Sequence, residues 1–411
     1  METGLREEQQ FRSYGYRWAV LFSFVVIACL NQVLWITFAP ITGVAAQYYH
    51  TSDLMIGLLS MSFMVVFIFL ALPSAYVIDT RGFRAAVGTG AVLTAVFGLA
   101  RGLFASNYTI VLLSQAGIAV GQPFIIGSIT KIAARWFPVE ERATASGLGT
   151  LALYLGPLIA MLLTPFLVLR MGMQRMLLVY GIGSAAAAAL FLLVAREHPP
   201  TPAGPDQRAL MFDGLKAMVR QRDFIYLLAM FFIGLGMFNG ISTWIEDIVR
   251  PRGFTVSQAG MLGGLMLGGG IIGAVCIPLL SDQSRRRKPF LLLAVVGLMP
   301  GLIGMTYATS YGLLLLSGFV FGFFLLSAGP VGFQYAAEIT YPASEGTSNS
   351  LLLVMGQISG IVFIFGMDAL KAPASGAMTT SLLALAALVV IAIVLAAMLR
   401  ESPVHNADAR S

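Results

Sequence analysis

Long apolar runs separated by short polar breaks dominate the chain. A helix needs about 20 apolar residues to cross the core of a bilayer. Twelve runs reach or approach that length, at 17–40, 54–78, 85–105, 108–133, 143–170, 174–195, 224–249, 258–280, 289–309, 311–338, 345–369 and 377–399. The first, from Arg17 to Pro40, is too long for the 7–15 apolar residues of a signal-peptide core and predicts a retained first helix. The longest polar stretch, Arg196 to Arg222, separates the sixth run from the seventh and opens Arg196-Glu-His-Pro-Pro200. Its prolines mark a linker, and the piece from Gln207 to Arg222 reads as a short amphipathic helix on the membrane surface. The pattern predicts an all-α integral membrane protein with twelve transmembrane helices. Residues 1–195 would form an N-terminal six-helix bundle, 196–222 a cytoplasmic linker and 223–411 a C-terminal six-helix bundle.

The two halves repeat. Asp79-Thr-Arg-Gly-Phe-Arg84 follows the second run, and Asp282-Gln-Ser-Arg-Arg-Arg-Lys288 follows the eighth, with the aspartates 203 residues apart. Phe137-Pro-Val-Glu-Glu141 follows the fourth run, and Tyr341-Pro-Ala-Ser-Glu345 follows the tenth, 204 residues on. Two such offsets, each near half the chain, predict pseudo-symmetric bundles related by an axis along the membrane normal.

Composition agrees and narrows the function classes. Hydrophobic residues make up 58% of the 411 and charged residues only 11%, against roughly 25% charged in a soluble domain. The net charge of +6 does not cluster on a face or stripe, as nucleic-acid binding requires. With the N-terminus placed in the cytoplasm, nineteen of the 25 lysines and arginines fall on the cytoplasmic side. That bias predicts cytoplasmic termini in a bacterial-type inner membrane. Cys29 and Cys276 lie inside apolar runs, and no Cys/His spacing suggests a metal or a disulfide framework. There is no phosphate-binding loop and no nucleophile–base pair. Neither a cofactor nor an enzymatic activity is expected, and the partners expected are a small-molecule substrate and lipid, with the chain a monomer.

Arginines, lysines and carboxylates all sit near run ends, so no ionisable group is expected at the membrane centre, where it would mark an ion path. The middle is polar but uncharged. Asn31, Gln32 and Trp35 lie in the first run, Gln115 and Gln122 in the fourth, Asn239, Ser242 and Thr243 in the seventh, and Gln357 in the eleventh. Buried amides can simply bond a neighbouring helix. Trp35 is close enough to a run end to belong to an interfacial belt, and its indole face could equally hold a cation. The glycine-rich segment Gly260–Gly273 lacks the strand of a nucleotide fold and reads as a close helix-packing face.

The loop Asp79, Arg81, Gly82, Arg84 resembles the signature between the second and third helices of the major facilitator superfamily, although Ala75 stands where a glycine is usual. Trp136-Phe-Pro-Val-Glu-Glu-Arg142, with Glu141 and Arg142, is also similar to that superfamily. The resemblance implies a cytoplasmic gate at Asp79, Arg81, Gly82, Arg84, Glu141 and Arg142, mirrored by Asp282 and Arg286. It also implies alternating access around a cavity lined by the first, fourth, seventh and tenth helices, with the eleventh contributing.

Three segments look like a particular branch, the feline leukaemia virus subgroup C receptor family. They are Val33-Leu-Trp35-Ile-Thr-Phe-Ala-Pro40, the stretch from Gly121-Gln122 to Phe137, and the stretch from Glu345 to Gln357. Animal members carry choline and ethanolamine. The resemblance implies a tryptophan at Trp35 and glutamines at Gln122 and Gln357 around the ammonium group. Asn239 stands where that family has a seventh-helix tyrosine, which leaves Phe238, Trp244 or Phe124 to supply the second aromatic wall. The favoured expectation is a transporter or uniporter of an amine or quaternary ammonium compound, with Trp35, Gln122, Gln357, Asn239, Asn31 and Gln32 at the substrate. The alternatives are a proton-coupled carrier of a carboxylate, drug or other metabolite, protonated at Glu246, Asp247 or Asp368, and a non-transporting receptor.

Overall fold

A computed structural model describes residues 14–201, 218–341 and 345–402. It is all helical among those residues, and the helices follow the apolar runs. The spans are Arg17–Tyr49, Asp53–Arg81, Phe83–Leu103, Tyr108–Trp136, two inside Val139–Val194, then Arg222–Thr243, Val256–Ser284, Lys288–Tyr307, Tyr311–Thr340, Glu345–Ala369 and Thr379–Met398. The stretch Val139–Val194 holds two helices, the fifth and sixth spans, which meet at Gly172, where φ of 81° turns the chain back. Gly82 at φ 85° makes the same reversal between the second and third. Both use a left-handed backbone that glycine adopts without strain. Most of the segment 207–222 read as amphipathic lies outside the described residues; the seventh span begins at its end, Arg222.

With twelve spans, Arg17 and Met398 share one face, called here the terminal face; the other is the distal face. Helix starts are capped differently at the two. At the distal face, side-chain oxygens of Ser52, Asn107, Thr255 and Ser310 accept the amide hydrogens of Met55, Ile110, Gln258 and Leu313. These satisfy donors that a helix start leaves free. At the terminal face a carboxylate does the work. Glu197 accepts from the amides of Phe83 and Arg84 at 3.2 and 2.7 Å, and Glu401 from those of Arg287 and Lys288 at 2.7 and 3.2 Å. Every one of these caps recurs in the other half at an offset of 203 or 204 residues.

Packing repeats in the same way. The first span packs on the fifth as the seventh does on the eleventh, the second on the fourth as the eighth on the tenth, and the third on the sixth as the ninth on the twelfth. The halves meet along two matching seams, the fifth span against the eighth and the second against the eleventh. Glycines let the first seam close. A Cβ on Gly260 would collide with the Met161 carbonyl, and one on Gly263 would sit 2.7 Å from Met161 Sδ. On the second seam a Cβ on Gly360 would lie 2.6 Å from Met64 Sδ. These approaches all lie on the distal halves of their spans, so the described contacts bring the two bundles together at that end.

Candidate functional site

The first span breaks. Its helix stops at Ile36, passes through a short turn at Ala39–Ile41 and resumes at Thr42. Pro40 has no amide hydrogen, and the Thr37 hydroxyl returns to the Val33 carbonyl at 2.8 Å. The last carbonyls before the break lose their helical partners. Arg101, fully buried, supplies one replacement: its Nη1 donates to the Leu34 carbonyl at 3.0 Å and to Gln115 Oε1 at 2.6 Å. Gln115 Nε2 donates to the carbonyls of Leu34 and Trp35 at 2.9 and 3.3 Å. A cation at a helix C-terminus also meets the negative end of the dipole, and the guanidinium lies 5.5 Å from the Phe38 ring centre. Arg101 is thus a buried charge that the run-end reading did not anticipate. Gln115 is a clamp rather than a cavity amide.

The clamp fixes the backbone that carries Trp35. The indole is 7% exposed, and its N–H donates to the Ser60 carbonyl on the second span at 3.2 Å. Its ring faces Phe238 on the seventh span, 6.5 Å between centres and tilted by 41°. Of the three aromatics that could complete a second wall, Phe238 is the one joined to Trp35. Trp244 is fully buried, donates to the Ile364 carbonyl at 3.0 Å and packs where a Cβ on Gly57 would be.

The amides divide into two groups. Asn31 donates to Thr94 Oγ1 at 3.1 Å, and Gln32 donates to Asn31 Oδ1 at 3.3 Å. Both are buried and committed to bonds inside the first half, which corrects the expectation that they face the cavity. Asn239 is buried one residue from Phe238 and donates to the Gly356 carbonyl on the eleventh span at 3.2 Å. Close by in sequence, the hydroxyls of Ser242 and Thr243 are buried and have no hydrogen-bond partner among the described residues. The side-chain amides of buried Gln122 and half-buried Gln357 likewise make no hydrogen bond among the described residues. They remain available to a solute.

At the distal face Glu246 and Asp247, expected from sequence only as protonation sites of an alternative carrier, meet Asp53, Arg250 and Lys371 in a cluster. After the seventh span, the short helix Ile245–Val249 carries Glu246 and Asp247, 2% and 0% exposed. Arg250 pairs with Glu246 at 2.9 Å, with Asp247, and across the halves with Asp53 at 2.6 Å. Lys371, beyond the eleventh span, reaches Asp53 at 2.6 Å and lies 3.6 Å from Asp247. Glu246 also accepts the Gly43 amide at 2.9 Å, again across the halves. Burial pushes the Asp247 carboxyl up to about 7, because the nearby carboxylates largely offset Arg250 and Lys371. Burial raises Glu246 too, against the pull of Arg250. Burial works against the charge of Arg250, but Asp247, Glu246 and Asp53 outweigh it and its pKa lies above the usual arginine value. A cavity of about 560 Å³ beside the cluster is lined by Gln47, His50, Asp53, Glu246, Arg250 and Phe254, among others.

At the terminal face the described ion pairs stay within one half. Arg17 pairs with Glu141 at 3.0 Å, Lys131 with Asp79 at 3.1 Å, and Arg135 with Glu197 at 3.3 Å. Arg287 pairs with Asp282 and, at 3.0 Å, with Glu338. The arginine on Asp282 is therefore Arg287; Arg286 is exposed and gives its carbonyl to Ser281 Oγ. Arg81 and Arg84 are exposed, Gly82 is buried where a Cβ would strike the Glu197 carboxylate, and Arg142 donates to the Phe137 carbonyl at 3.2 Å. Glu197 and Glu401 carry a sequence signal, the repeated pair Arg196-Glu197 and Arg400-Glu401.

Known proteins share this architecture. The model of the Major Facilitator Superfamily matches residues 20–364. Solute carrier family 49 member A3 of Danio rerio is 31% identical over 381 residues, covering 89% of this chain and 80% of its own. Choline/ethanolamine transporter FLVCR1 of Felis catus is 30% identical over 372 residues, covering 84% and 66%. Among solved structures, a bacterial homologue of the human lysosomal transporter Spinster, inward-facing and unoccupied, superposes with a TM-score of 0.74. It is 17% identical and covers 94% of this chain and 97% of that one.

Proposed function

The chain belongs to the major facilitator superfamily, homologous to its FLVCR-like choline/ethanolamine transporters, and on that premise we propose that it carries a small amine or quaternary ammonium compound. Transport by alternating access, without chemistry on the solute, is the function of the family. The observation that carries the substrate reading is the Trp35–Phe238 pair, one ring from each half. An ammonium group within about 6 Å of an aromatic face gains roughly 0.5–2 kcal/mol. Gln122, Gln357 and Asn239 would bond a hydroxyl or other polar end of the solute. Phe238 takes the place of the absent seventh-span tyrosine, offering a ring without a hydroxyl.

The lysine and arginine bias supports a cytoplasmic terminal face, in a bacterial-type inner membrane. The arrangement described above, joined at the distal end, is then inward-facing. Asp79, Arg81, Arg84, Glu141, Arg142, Asp282 and Arg286 would form their inter-half gate in the opposite, outward-facing state. For a monovalent cation the membrane potential contributes about 2.3 kcal/mol per 100 mV toward uptake, so a monomeric uniporter needs no coupling ion for accumulation.

Thermal stabilisation of the purified protein tests the reading, since a ligand that binds only the native state raises its stability by mass action. Choline, ethanolamine, betaine and carnitine are compared with carboxylates. A rise with the quaternary amines that disappears in Trp35→Ala is expected. A rise with carboxylates alone would reject the substrate class.

A further inference from the structure

The distal cluster contains more acid than base. Among the described residues Asp53, Glu246 and Asp247 pair with Arg250 and Lys371 alone, and Asp368 adds a further carboxylate that feels both Lys371 and Asp53. The partition between halves matters. Glu246, Asp247, Arg250 and Lys371 all belong to the second half, where the two buried acids balance two bases, while half-buried Asp368 takes no part in their ion pairs. Asp53 belongs to the first half. When the distal face closes, Asp53 brings a third carboxylate into a buried, balanced group. A buried unpaired charge is costly and is relieved by neutralisation.

We propose that closing the distal face binds one proton, held on Asp247 at the junction of the two halves. Asp247 is the member best suited to it. Its side chain is fully buried, and although Oδ1 is ion-paired with Arg250, neither carboxylate oxygen accepts an aligned hydrogen bond among the described residues. Glu246, by contrast, accepts from Gly43 and Arg250, and Asp53 accepts from Arg250 and Lys371. The elements packed around the 245–249 helix bring few other charges. The Thr42–Tyr49 helix ends at His50, which lines the neighbouring cavity, and Arg252 is turned away onto the carbonyls of Ile248, Met305 and Ala308. The site is distinct from Trp35 and Phe238 and does not depend on the identity of the solute.

The sign follows from linkage. In the closed state the Asp247 carboxyl is raised to about 7; exposed to water on opening, it returns to about 4. The closed state therefore binds the proton more tightly. Its advantage is full below about pH 4, declines by up to about tenfold per pH unit, and is lost above about pH 7. External acid holds the distal face shut.

Double electron–electron resonance on the full-length protein tests this. Spin labels go on Ser106→Cys and Ser257→Cys, exposed distal positions in opposite halves, with Cys29 and Cys276 replaced by alanine. Between pH 5 and pH 8 the ratio of short to long distances should fall more than tenfold. Asp247→Asn should abolish that dependence, and His50→Gln should leave it intact. Should Asp247→Asn fail to fold, Asp53→Asn serves, because it removes the excess carboxylate and should flatten the profile. A flat wild-type profile overturns the proposal. So does a profile that survives Asp247→Asn or Asp53→Asn, or one that vanishes with His50.

Discussion

The two faces of the molecule use ion pairs in opposite ways. At the distal face Asp53 of the first half meets Arg250 and Lys371 of the second, and the Gly43 amide meets Glu246. At the terminal face Arg17–Glu141, Lys131–Asp79 and Arg287–Glu338 each tie one half to itself. The first arrangement binds the bundles together and the second leaves them free to separate. An ion pair reports conformational state only when its partners lie on bodies that move relative to each other.

Removing charges one at a time tests the contrast. The largest effect is expected from Arg250→Ala, which leaves Glu246 and Asp247 buried without their main cation. Stranding a buried charge costs about 3–5 kcal/mol, so the distal label pair should shift to long distances and the melting temperature should drop. Arg287→Ala strands Glu338, whose side chain is 8% exposed. It is expected to cost about 2–4 kcal/mol of stability while leaving the distal distance unchanged. A distal shift with Arg287→Ala would break the distinction between the faces.

A packing change sharpens it further. Gly260→Val places a methyl group against the backbone of Met161 across the seam. Overpacking of that kind costs about 1–3 kcal/mol, and since it acts only when the seam is closed, it should populate the distal-open state. The smallest effect is expected from Asp79→Asn. Its carboxylate is 66% exposed and bonded to Lys131 in the same half, and such pairs contribute at most about 1 kcal/mol. Stability and distal distance should both stay near wild type, with any loss confined to transport.

Much of this was legible in the sequence because it is local. Run length locates the spans, and the offsets from Asp79 to Asp282 and from Phe137 to Tyr341 mark the repeat without reference to any contact. The distal cluster was not legible. Asp53 and Lys371 are separated by 318 residues, and nothing local says that two span ends from different halves will meet. Arg101 was hidden for another reason. It stands two residues from a helix end, where arginines commonly reach water, and only the break after Ile36 gives it carbonyls to bond inside. At the second aromatic wall the difference is one residue. Motif alignment points to Asn239, whereas the ring beside Trp35 is Phe238, about 100° around the helix.

Counterflow in proteoliposomes tests the central claim most directly. Vesicles loaded with unlabelled choline are diluted into labelled choline, and label accumulates only if one site carries the solute both ways. Wild-type protein is expected to accumulate label. Trp35→Ala and Phe238→Ala should each raise KM by roughly 2–30-fold, the loss of one aromatic face at about 0.5–2 kcal/mol. Folded wild-type protein that shows no counterflow with choline, ethanolamine or betaine, or a Trp35→Ala, Phe238→Ala double variant that carries them unimpaired, would contradict the account.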